Sequence, residues 1–94
     1  MYNINGIDYE LIENSRDGFD ETAVNNLVTD FFEKYDYLVG DWSYGKLRIK
    51  GFNDKSNKEF NKINDYGKVK DYIENYCAYG CKYFILRKVL VDKK

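Results

Sequence analysis

Apolar and polar residues alternate most regularly in the middle of the chain, and this alternation predicts a β-hairpin. In the segment Lys46–Phe52, two aliphatic residues would face one side of a strand, and Arg48 and Lys50 would face the other. The segment Tyr37–Asp41 has the composition of a partner strand, and the glycine-bounded aromatic residues between the two segments predict a tight turn. We therefore expect the rest of the chain to be organised around this central hairpin.

A second hairpin is predicted at the start of the chain, over residues 1–13. Its turn is Asn5-Gly6, the dipeptide that most readily adopts the positive φ angles of a type I′ turn. Apolar residues at alternate positions from Ile7 to Leu11 would then share one face of the following strand.

Helical spacing of apolar residues predicts two helices. The first would span about Glu21–Lys34, with Asp20 as its N-cap. The second would span about Lys68–Ala78, with Gly80 just past its end. The buried stripe of the first helix would comprise Ala23, Val24, Leu27, Val28, Phe31 and Phe32.

Two further segments complete the order of elements. The polar segment Asn53–Asp65 predicts a long surface loop, which we expect to be the most mobile part of the chain. The apolar run Tyr83–Val91 predicts a last strand. The resulting order β-β-α-β-β-α-β favours an α+β fold, with a mainly antiparallel sheet and two helices packed on one face. Residues 1–94 are expected to form a single domain.

Composition restricts the chemistry of the chain. Its residues are 44% hydrophobic and 18% aromatic, which is too apolar for a disordered tail. The sequence contains no histidine, so the usual general base near neutral pH and the commonest metal ligand are missing. Because there is neither a long apolar run nor a signal-peptide pattern, we expect a cytoplasmic protein with no membrane partner.

The net charge of −1 is unevenly distributed along the chain. Residues 1–45 carry ten acids and two bases, a net charge of −8, whereas residues 46–94 carry thirteen bases and six acids, a net charge of +7. Two interpretations stay open. The two halves could pack together and screen each other's charges, or the second half could present a basic face to a polyanion.

Five residues of the central hairpin form the candidate binding surface: Asp41, Trp42, Tyr44, Arg48 and Lys50. Aromatic rings and bases on a sheet can stack nucleobases and neutralise phosphates. The same residues could instead bind a protein or peptide. In the structural alternative, Trp42 packs over the sheet edge while the two bases form surface pairs with Asp36 or Asp41.

An enzymatic hypothesis rests on Asp36 and Asp41 beside Arg48 and Lys50, because metal-dependent nucleases group carboxylates near a lysine on adjacent strands. Arg48 occupies the position where the acid before that lysine is usually found, and turn aspartates often bond local backbone N–H groups instead. We therefore assign no catalytic residue, metal or cofactor, and a metal-dependent hydrolase or nuclease is the weakest hypothesis.

The glycines of the hairpin do not form a phosphate-binding loop. Gly40, Gly45 and Gly51 match neither a Walker A motif nor a dinucleotide fingerprint, and no helix follows them. We expect them at turns and bulges.

Cys77 and Cys81 are the two cysteines of the chain. Without a secretory signal, they suggest a reducing compartment and free thiols. A structural zinc site needs four protein ligands, so these thiols could hold a metal only if two chains shared it. A redox pair stays open, although Cys-x3-Cys is not the thioredoxin spacing. We favour two small structural core residues.

Several motifs of this chain resemble the YutD-like family. They include Arg16-Asp17-Gly18-Phe19, the run Tyr35-Asp36-Tyr37-Leu38-Val39-Gly40-Asp41-Trp42, Tyr44-Gly45, Leu47-Arg48, Lys50-Gly51-Phe52, Asp71-Tyr72, Tyr76-Cys77, Gly80-Cys81 and Tyr83-Phe84. Order and spacing agree from about Ile4 to Lys88, with departures in the loop after Phe52 and at Lys82. The resemblance implies a small bacterial cytoplasmic protein, and it supplies neither an activity nor a catalytic residue.

These observations predict a non-enzymatic interaction module, a monomer or weak homodimer, that binds a protein partner through the aromatic and basic hairpin. The alternative is a module that binds RNA or DNA, with a regulatory role. Both hypotheses require the two helices to cover the aliphatic side of the hairpin and leave its cationic side open.

Overall fold

The computed structural model describes residues 1–76 and 81–89, and within them the chain forms a five-stranded antiparallel sheet. The strands are β1 (Tyr2–Ile4), β2 (Ile7–Ser15), β3 (Tyr37–Ser43), β4 (Lys46–Phe52) and β5 (Tyr83–Lys88). The helices are α1 (Glu21–Leu27) and α2 (Val69–Tyr76), with 3₁₀ helices at Asp30–Lys34 and Tyr66–Lys68. The strands lie in the order β1-β2-β5-β3-β4, so β5 occupies the centre of the sheet.

The predicted α+β class is confirmed, and the predicted order of elements is matched in part because two 3₁₀ helices interrupt it. β4 has the predicted bounds, whereas β3 extends two residues further, to Ser43. The expected cap at Gly80 and the end of the last strand beyond Val89 lie outside the described residues. No helix in the described part of the chain is long and apolar enough to cross a membrane.

The first hairpin forms as its turn residues predict. Asn5 and Gly6 have φ angles of 54° and 83°, the left-handed conformation that a type I′ turn needs. The register pairs Tyr2 with Tyr9 and Ile4 with Ile7, so these side chains lie on one face of the sheet. That face contributes Ile4 and Tyr9 to the core.

The first helix is shorter than its apolar spacing predicts. Asp20 caps it as expected, since its carboxylate accepts the Ala23 N–H at 3.1 Å. The helix nevertheless stops at Leu27, because Val28 is extended and Thr29 accepts the Phe31 N–H at 3.4 Å to begin a separate 3₁₀ helix. This break turns Val28 into the core.

The break also corrects the predicted buried stripe. Val24 and Val28 are buried as expected, and Phe32 packs partly buried against the same core cluster. Leu27 and Phe31 are 40% and 61% exposed, so the prediction was wrong for these two residues. A continuous helix would have kept them in line with Val24.

Each face of the sheet carries its own helix, which corrects the prediction that both helices pack on one face. Leu38 packs in one cluster with Val24 of α1, whereas the next residue, Val39, packs in another cluster with Val69 of α2. Successive strand residues point to opposite faces. We call these the α1 face and the α2 face. The physical reason is that Tyr37–Val39 and Phe84–Leu86 are continuous apolar runs, and such central strands need cover on both sides.

Two glycines of the central hairpin lie beneath aromatic rings rather than at bulges. A Cβ atom on Gly40 would come within 2.1 Å of the Phe84 ring, and one on Gly51 within 2.1 Å of the Tyr35 ring. The β3–β4 register runs without a shift from the Tyr37–Phe52 pair to the hairpin end. The expectation of bulges at these two glycines was therefore wrong.

The polar segment that follows β4 is held by asparagine hydrogen bonds. The Asn53 N–H donates to the Asn64 carbonyl at 2.6 Å, and the Asn53 side-chain oxygen accepts the Asp36 N–H at 2.8 Å. Asn57 donates to the same oxygen at 3.0 Å. The segment is a loop as predicted, and its expected mobility stays a prediction.

We expect Gly40→Ala to destabilise the protein by about 1–3 kcal/mol, because the new methyl group overlaps the Phe84 ring. In a Phe84→Leu background the same substitution should cost about 1 kcal/mol less, since the smaller side chain leaves room. Urea denaturation of the four proteins of this cycle measures both values. Equal costs in the two backgrounds would show that the ring does not exclude a side chain at this position.

Tyr9→Phe is expected to leave stability at pH 7 unchanged or raise it by less than about 1 kcal/mol. The Tyr9 side chain is fully buried, and its hydroxyl has no hydrogen-bond partner among the described residues. The matched control is Tyr37→Phe, which should destabilise because the Tyr37 hydroxyl donates to both Asp54 carboxylate oxygens at 3.3 Å.

Alkaline pH supplies a second test of Tyr9. Burial, assisted by the charge of Glu33, raises the pKa of Tyr9 to about 12. Its contribution to stability is therefore complete below pH 10 and is lost as the pH rises from 10 towards 12. Tyr9→Phe should lose less stability than the unmodified chain over this range, and an equal loss would contradict the burial of an unpaired hydroxyl.

Candidate functional site

The structure distributes the five predicted site residues over both faces and the tip of the hairpin formed by residues 41–50, here called the candidate hairpin. Asp41, Arg48 and Lys50 share the α2 face, because Asp41 lies opposite Arg48 in the β3–β4 register. Trp42 lies on the α1 face, opposite Leu47. Tyr44 occupies the turn. The structure therefore brings the charged residues together and separates them from the tryptophan.

Asp41 and Arg48 form a bidentate ion pair across the two strands. Arg48 Nε lies 3.1 Å from Oδ1 of Asp41, and Nη2 lies 2.7 Å from Oδ2. Nη2 also donates to the Tyr76 carbonyl at 3.0 Å, at the end of α2. The Asp41 side chain is 3% exposed and the Arg48 side chain 45% exposed. The pair thus neutralises a buried carboxylate and holds one side of the guanidinium in solvent.

Lys50 is half-buried beside α2 rather than open to solvent. Its Nζ lies 5.1 Å from the centre of the Phe52 ring and 6.0 Å from that of Tyr72. Burial lowers the pKa of Lys50 below its usual range. No carboxylate in the described part of the chain forms an ion pair with Lys50. The expected open cationic side is therefore found only in part, because α2 lies over it.

Trp42 fastens the end of β3 to the segment between β2 and α1. Its indole N–H donates to the Gly18 carbonyl at 2.7 Å. Its backbone N–H donates to the Lys82 carbonyl at 3.1 Å, and Lys82 Nζ lies 5.6 Å from the ring centre. The half-buried ring therefore combines an anchoring role with a partly open surface.

Tyr44 is a strained and exposed aromatic residue at the tip of the candidate hairpin. Its φ angle is 53° and that of Gly45 is 78°, so the two residues occupy the left-handed positions of a type I′ turn. A bulky side chain in this conformation costs about 1–2 kcal/mol, which asparagine and glycine largely avoid. The Tyr44 side chain is fully exposed, with a relative exposure of 102%, so no packing within the described residues offsets that cost.

The carboxylates of the nuclease hypothesis serve separate structural roles. Asp36 accepts the Asp54 N–H at 3.0 Å, whereas Asp41 is bound to Arg48. Asp36 lies just before β3 and Asp41 lies within it, and five positions of extended chain separate their backbones by roughly 16 Å. Among residues 1–76 and 81–89, no three metal-binding side chains come together. The geometry offers no shared metal site to these two acids.

The cysteine prediction is tested at one position. Cys81 is half-buried and disulfide-bonded, so the expected free thiol was wrong there. Cys77 lies outside the described residues.

Sequence reasoning missed a cleft on the α2 face. It has a volume of about 290 Å³, and its lining includes Val69, Tyr66, Ile85, Tyr83 and Glu13. The Tyr83 hydroxyl donates to the Glu13 carboxylate at its rim. None of the five candidate residues lines this cleft. Glu13 and Ile85 both line the cleft and are paired across β2 and β5, and no local motif signals that pairing.

Comparisons with known proteins agree in sequence and in fold. A family model described as "Putative antitoxin YutD-like" matches residues 3–87. "Putative antitoxin YutD" of Bacillus subtilis (strain 168) is 42% identical over 89 residues, which cover 95% of this chain and 98% of the relative. The solution NMR structure of protein yutD from B. subtilis matches with a TM-score of 0.80 at 39% identity, over 100% of this chain and 86% of that one.

Arg48→Ala should destabilise the protein by about 1–3 kcal/mol, because it leaves the buried Asp41 carboxylate without its partner. The stability of Arg48→Lys should lie between that of the unmodified chain and that of Arg48→Ala, since a lysine keeps the charge but cannot form the bidentate pair. The matched control is Arg87→Ala, whose pair with Glu10 is about half-exposed on both sides and should contribute less to stability than the Asp41 pair. Thermal and urea unfolding measure all three, and equal losses for the two alanine variants would contradict a special role for the Asp41 pair.

Proposed function

The chain belongs to the YutD-like family, and we propose that it is an antitoxin which binds a partner protein through the candidate hairpin. The resemblance drawn from its sequence motifs is thereby confirmed for the family. The name of the B. subtilis relative supplies the antitoxin role. Such a role requires a partner, and we take that partner to be a protein in the cytoplasm.

The observation that carries the proposal is the strain at Tyr44. The first hairpin of this chain uses Asn5-Gly6 in the same turn conformation, whereas the candidate hairpin uses Tyr44-Gly45. A tyrosine whose side chain packs against none of the described residues, and whose backbone conformation is costly, is a candidate for contact with another molecule. Tyrosine is also enriched among the residues that dominate binding energies at interfaces.

The residues around Tyr44 contribute to the proposed binding surface in different ways. Asp41 fixes the guanidinium of Arg48, so that a polar anchor is held in place before binding. Trp42 ties the end of β3 to the Gly18 carbonyl and so limits movement of the tip. Lys50 lies further from the tip and offers a cation without a carboxylate partner in the described residues. We propose that these residues act together as a pre-formed protein-binding surface.

A protein partner fits this arrangement better than a nucleic acid. Stacking platforms for nucleobases combine aromatic rings and bases on one surface. Here Trp42 lies on the α1 face, and Arg48 and Lys50 lie on the α2 face. A partner protein can contact the tip from both sides, so it does not need the rings and bases to share a face.

Tyr44→Asn should raise stability by about 1 kcal/mol, because asparagine tolerates the left-handed turn, and should weaken capture of the partner from a cytosolic extract. The matched control is Ile63→Asn, which replaces another exposed apolar side chain (78% exposed) away from the hairpin and should leave capture unchanged. Capture is compared with and without nuclease treatment, and stability is measured by urea unfolding.

The antitoxin role is tested with the captured protein. Expression of that protein alone should slow growth, co-expression of this chain should restore growth, and the Tyr44→Asn variant should restore it less well. If the unmodified chain and the Tyr44→Asn variant capture the partner equally well, the proposed surface is overturned. Capture that disappears after nuclease treatment and falls steeply with salt would replace the protein partner with a nucleic acid.

A further inference from the structure

Hydrogen bonds at both ends of β3 determine which way the backbone groups of β4 point. The Trp42 N–H donates to the Lys82 carbonyl at 3.1 Å, and the Asp36 carbonyl accepts the Lys88 N–H at 2.8 Å. Even-numbered residues of β3 therefore point towards β5. Because successive residues point to opposite sides, the odd-numbered residues of β3 bond to β4. Their partners in the register are Lys46, Arg48, Lys50 and Phe52.

Leu47, Ile49 and Gly51 consequently direct their backbone N–H and C=O groups away from the sheet. β4 is an edge strand of seven residues, and within the described part of the chain these three residues form no backbone hydrogen bond to another element. Gly51 is buried beside the Tyr35 ring, so the accessible part of this edge is Leu47 and Ile49. The opposite edge, β1, is only three residues long. An unpaired edge of this kind can accept another strand.

The chain already uses the end of this edge to hold one of its own segments. At the next outward position, the Asn53 N–H donates to the Asn64 carbonyl at 2.6 Å, and the Asn53 carbonyl accepts the Tyr66 N–H at 3.0 Å. The resulting bridge is parallel and isolated. The edge is therefore geometrically able to add an extended segment, and its own segment stops before Gly51.

Side chains along the unpaired edge of β4, here called the free edge, alternate in character, and this alternation determines which kind of strand could be added there. On the α2 face an incoming strand would meet Lys46, Arg48 and Lys50, and on the α1 face it would meet Leu47 and Ile49. Residues directly opposite each other on neighbouring strands interact favourably when their charges are opposite or both are apolar. The complementary strand therefore alternates acidic and apolar residues.

Lys50 adds an independent reason to expect an acid. Its ammonium group is half-buried, its near neighbours include the Phe52 and Tyr72 rings, and no carboxylate of the described residues pairs with it. A buried or half-buried charge is stabilised by an opposite charge close to it. A carboxylate delivered along the free edge would supply that charge.

A second copy of this chain does not fit the same edge. Pairing β4 with β4 would place Lys46, Arg48 and Lys50 of one copy against the same cations of the other, and like charges on facing strands are destabilising. Edge lysines also protect proteins from self-association. The occupant is therefore a segment of a different protein.

We infer that the free edge of β4 binds, by strand addition, an extended segment of the partner protein in which acidic and apolar residues alternate. This inference rests on the proposed function, because it takes the candidate hairpin as the partner-binding surface, and it adds the mode of binding. Main-chain hydrogen bonds to Leu47 and Ile49 hold the segment, and the alternating side chains set its register.

A capped nine-residue peptide of alternating glutamate and valine is the probe. When it is titrated into the full chain, the amides of Leu47 and Ile49 should become protected from hydrogen exchange by about tenfold or more. The pKa of Lys50 should rise, because a nearby carboxylate favours the ammonium form. A peptide of the same composition with its glutamates in one block, and a peptide of alternating lysine and valine, should bind about tenfold more weakly.

Two variants test separately the contribution of the β4 cations and that of the outward backbone N–H groups to peptide binding. Lys46→Glu changes an exposed residue and should weaken binding of the glutamate peptide about tenfold while strengthening binding of the lysine peptide. Ile49→Pro removes an outward N–H and spares the β3 ladder, so it should abolish protection at Leu47. Its control, Ile49→Val, keeps that N–H and should bind normally. If Ile49→Pro does not fold, Lys46→Glu tests strand addition alone, by whether it reverses the preference for the glutamate peptide over the lysine peptide.

Absence of protection at Leu47 and Ile49 with the probe at saturation, or equal binding of the alternating and block peptides, would overturn strand addition. The proposed function fails separately. If Tyr44→Asn loses the captured partner while Lys46→Glu and Ile49→Pro retain it, the hairpin is the binding surface and strand addition is wrong. If the edge variants lose the captured partner and Tyr44→Asn retains it, strand addition stands and the proposed role of the tip falls.

Discussion

Burial of β3 and β5 on both of their faces is the constraint on which the rest of the structure depends. Leu38 and Val39 are neighbours in sequence, point to opposite faces and are 0% and 1% exposed. In β5, Ile85 and Leu86 repeat this arrangement at 3% and 0%. A strand buried in this way needs cover on both sides, so α1 and α2 must lie on opposite faces of the sheet. Gly40 allows the Phe84 ring to close one of those faces tightly.

This arrangement determines what the two ends of the sheet can do. Because α2 covers the α2 face beside β3, the Asp41 carboxylate is buried and needs Arg48 as its partner. The tip beyond that pair extends past the core and carries Tyr44 in a strained conformation that no packing within the described residues offsets. β4 lies at the outer side of the same hairpin, where Leu47 and Ile49 have backbone groups without strand partners in the described residues. Stability therefore resides in the central strands, and the binding potential resides at the hairpin and its edge.

Local backbone chemistry made some of these features predictable from the sequence, and tertiary packing made others unpredictable. The Asn5-Gly6 turn and the bounds of Lys46–Phe52 depend on neighbouring residues, and both were predicted correctly. The end of α1 was missed because Thr29 competes as a second cap, which apolar spacing alone does not show. Strand alternation correctly placed the Arg48 side chain on the face of the sheet opposite to Leu47 and Ile49. It could not show that α2 lies over that side, because the position of α2 depends on burial at Tyr37–Val39 from both faces.

Native-state hydrogen exchange of the free protein in rising urea tests the central claim most directly, because it compares the doubly covered strands with the open edge in one experiment. The amides of Leu38, Val39 and Ile85 should exchange only with global unfolding. Those of Leu47 and Ile49 should exchange through small local openings, or directly from the native state without any opening. Equal protection of Leu47 and Ile49 with the central amides would show that the edge is covered. Early exchange of Leu38 or Val39 would show that the sheet centre does not hold the fold together.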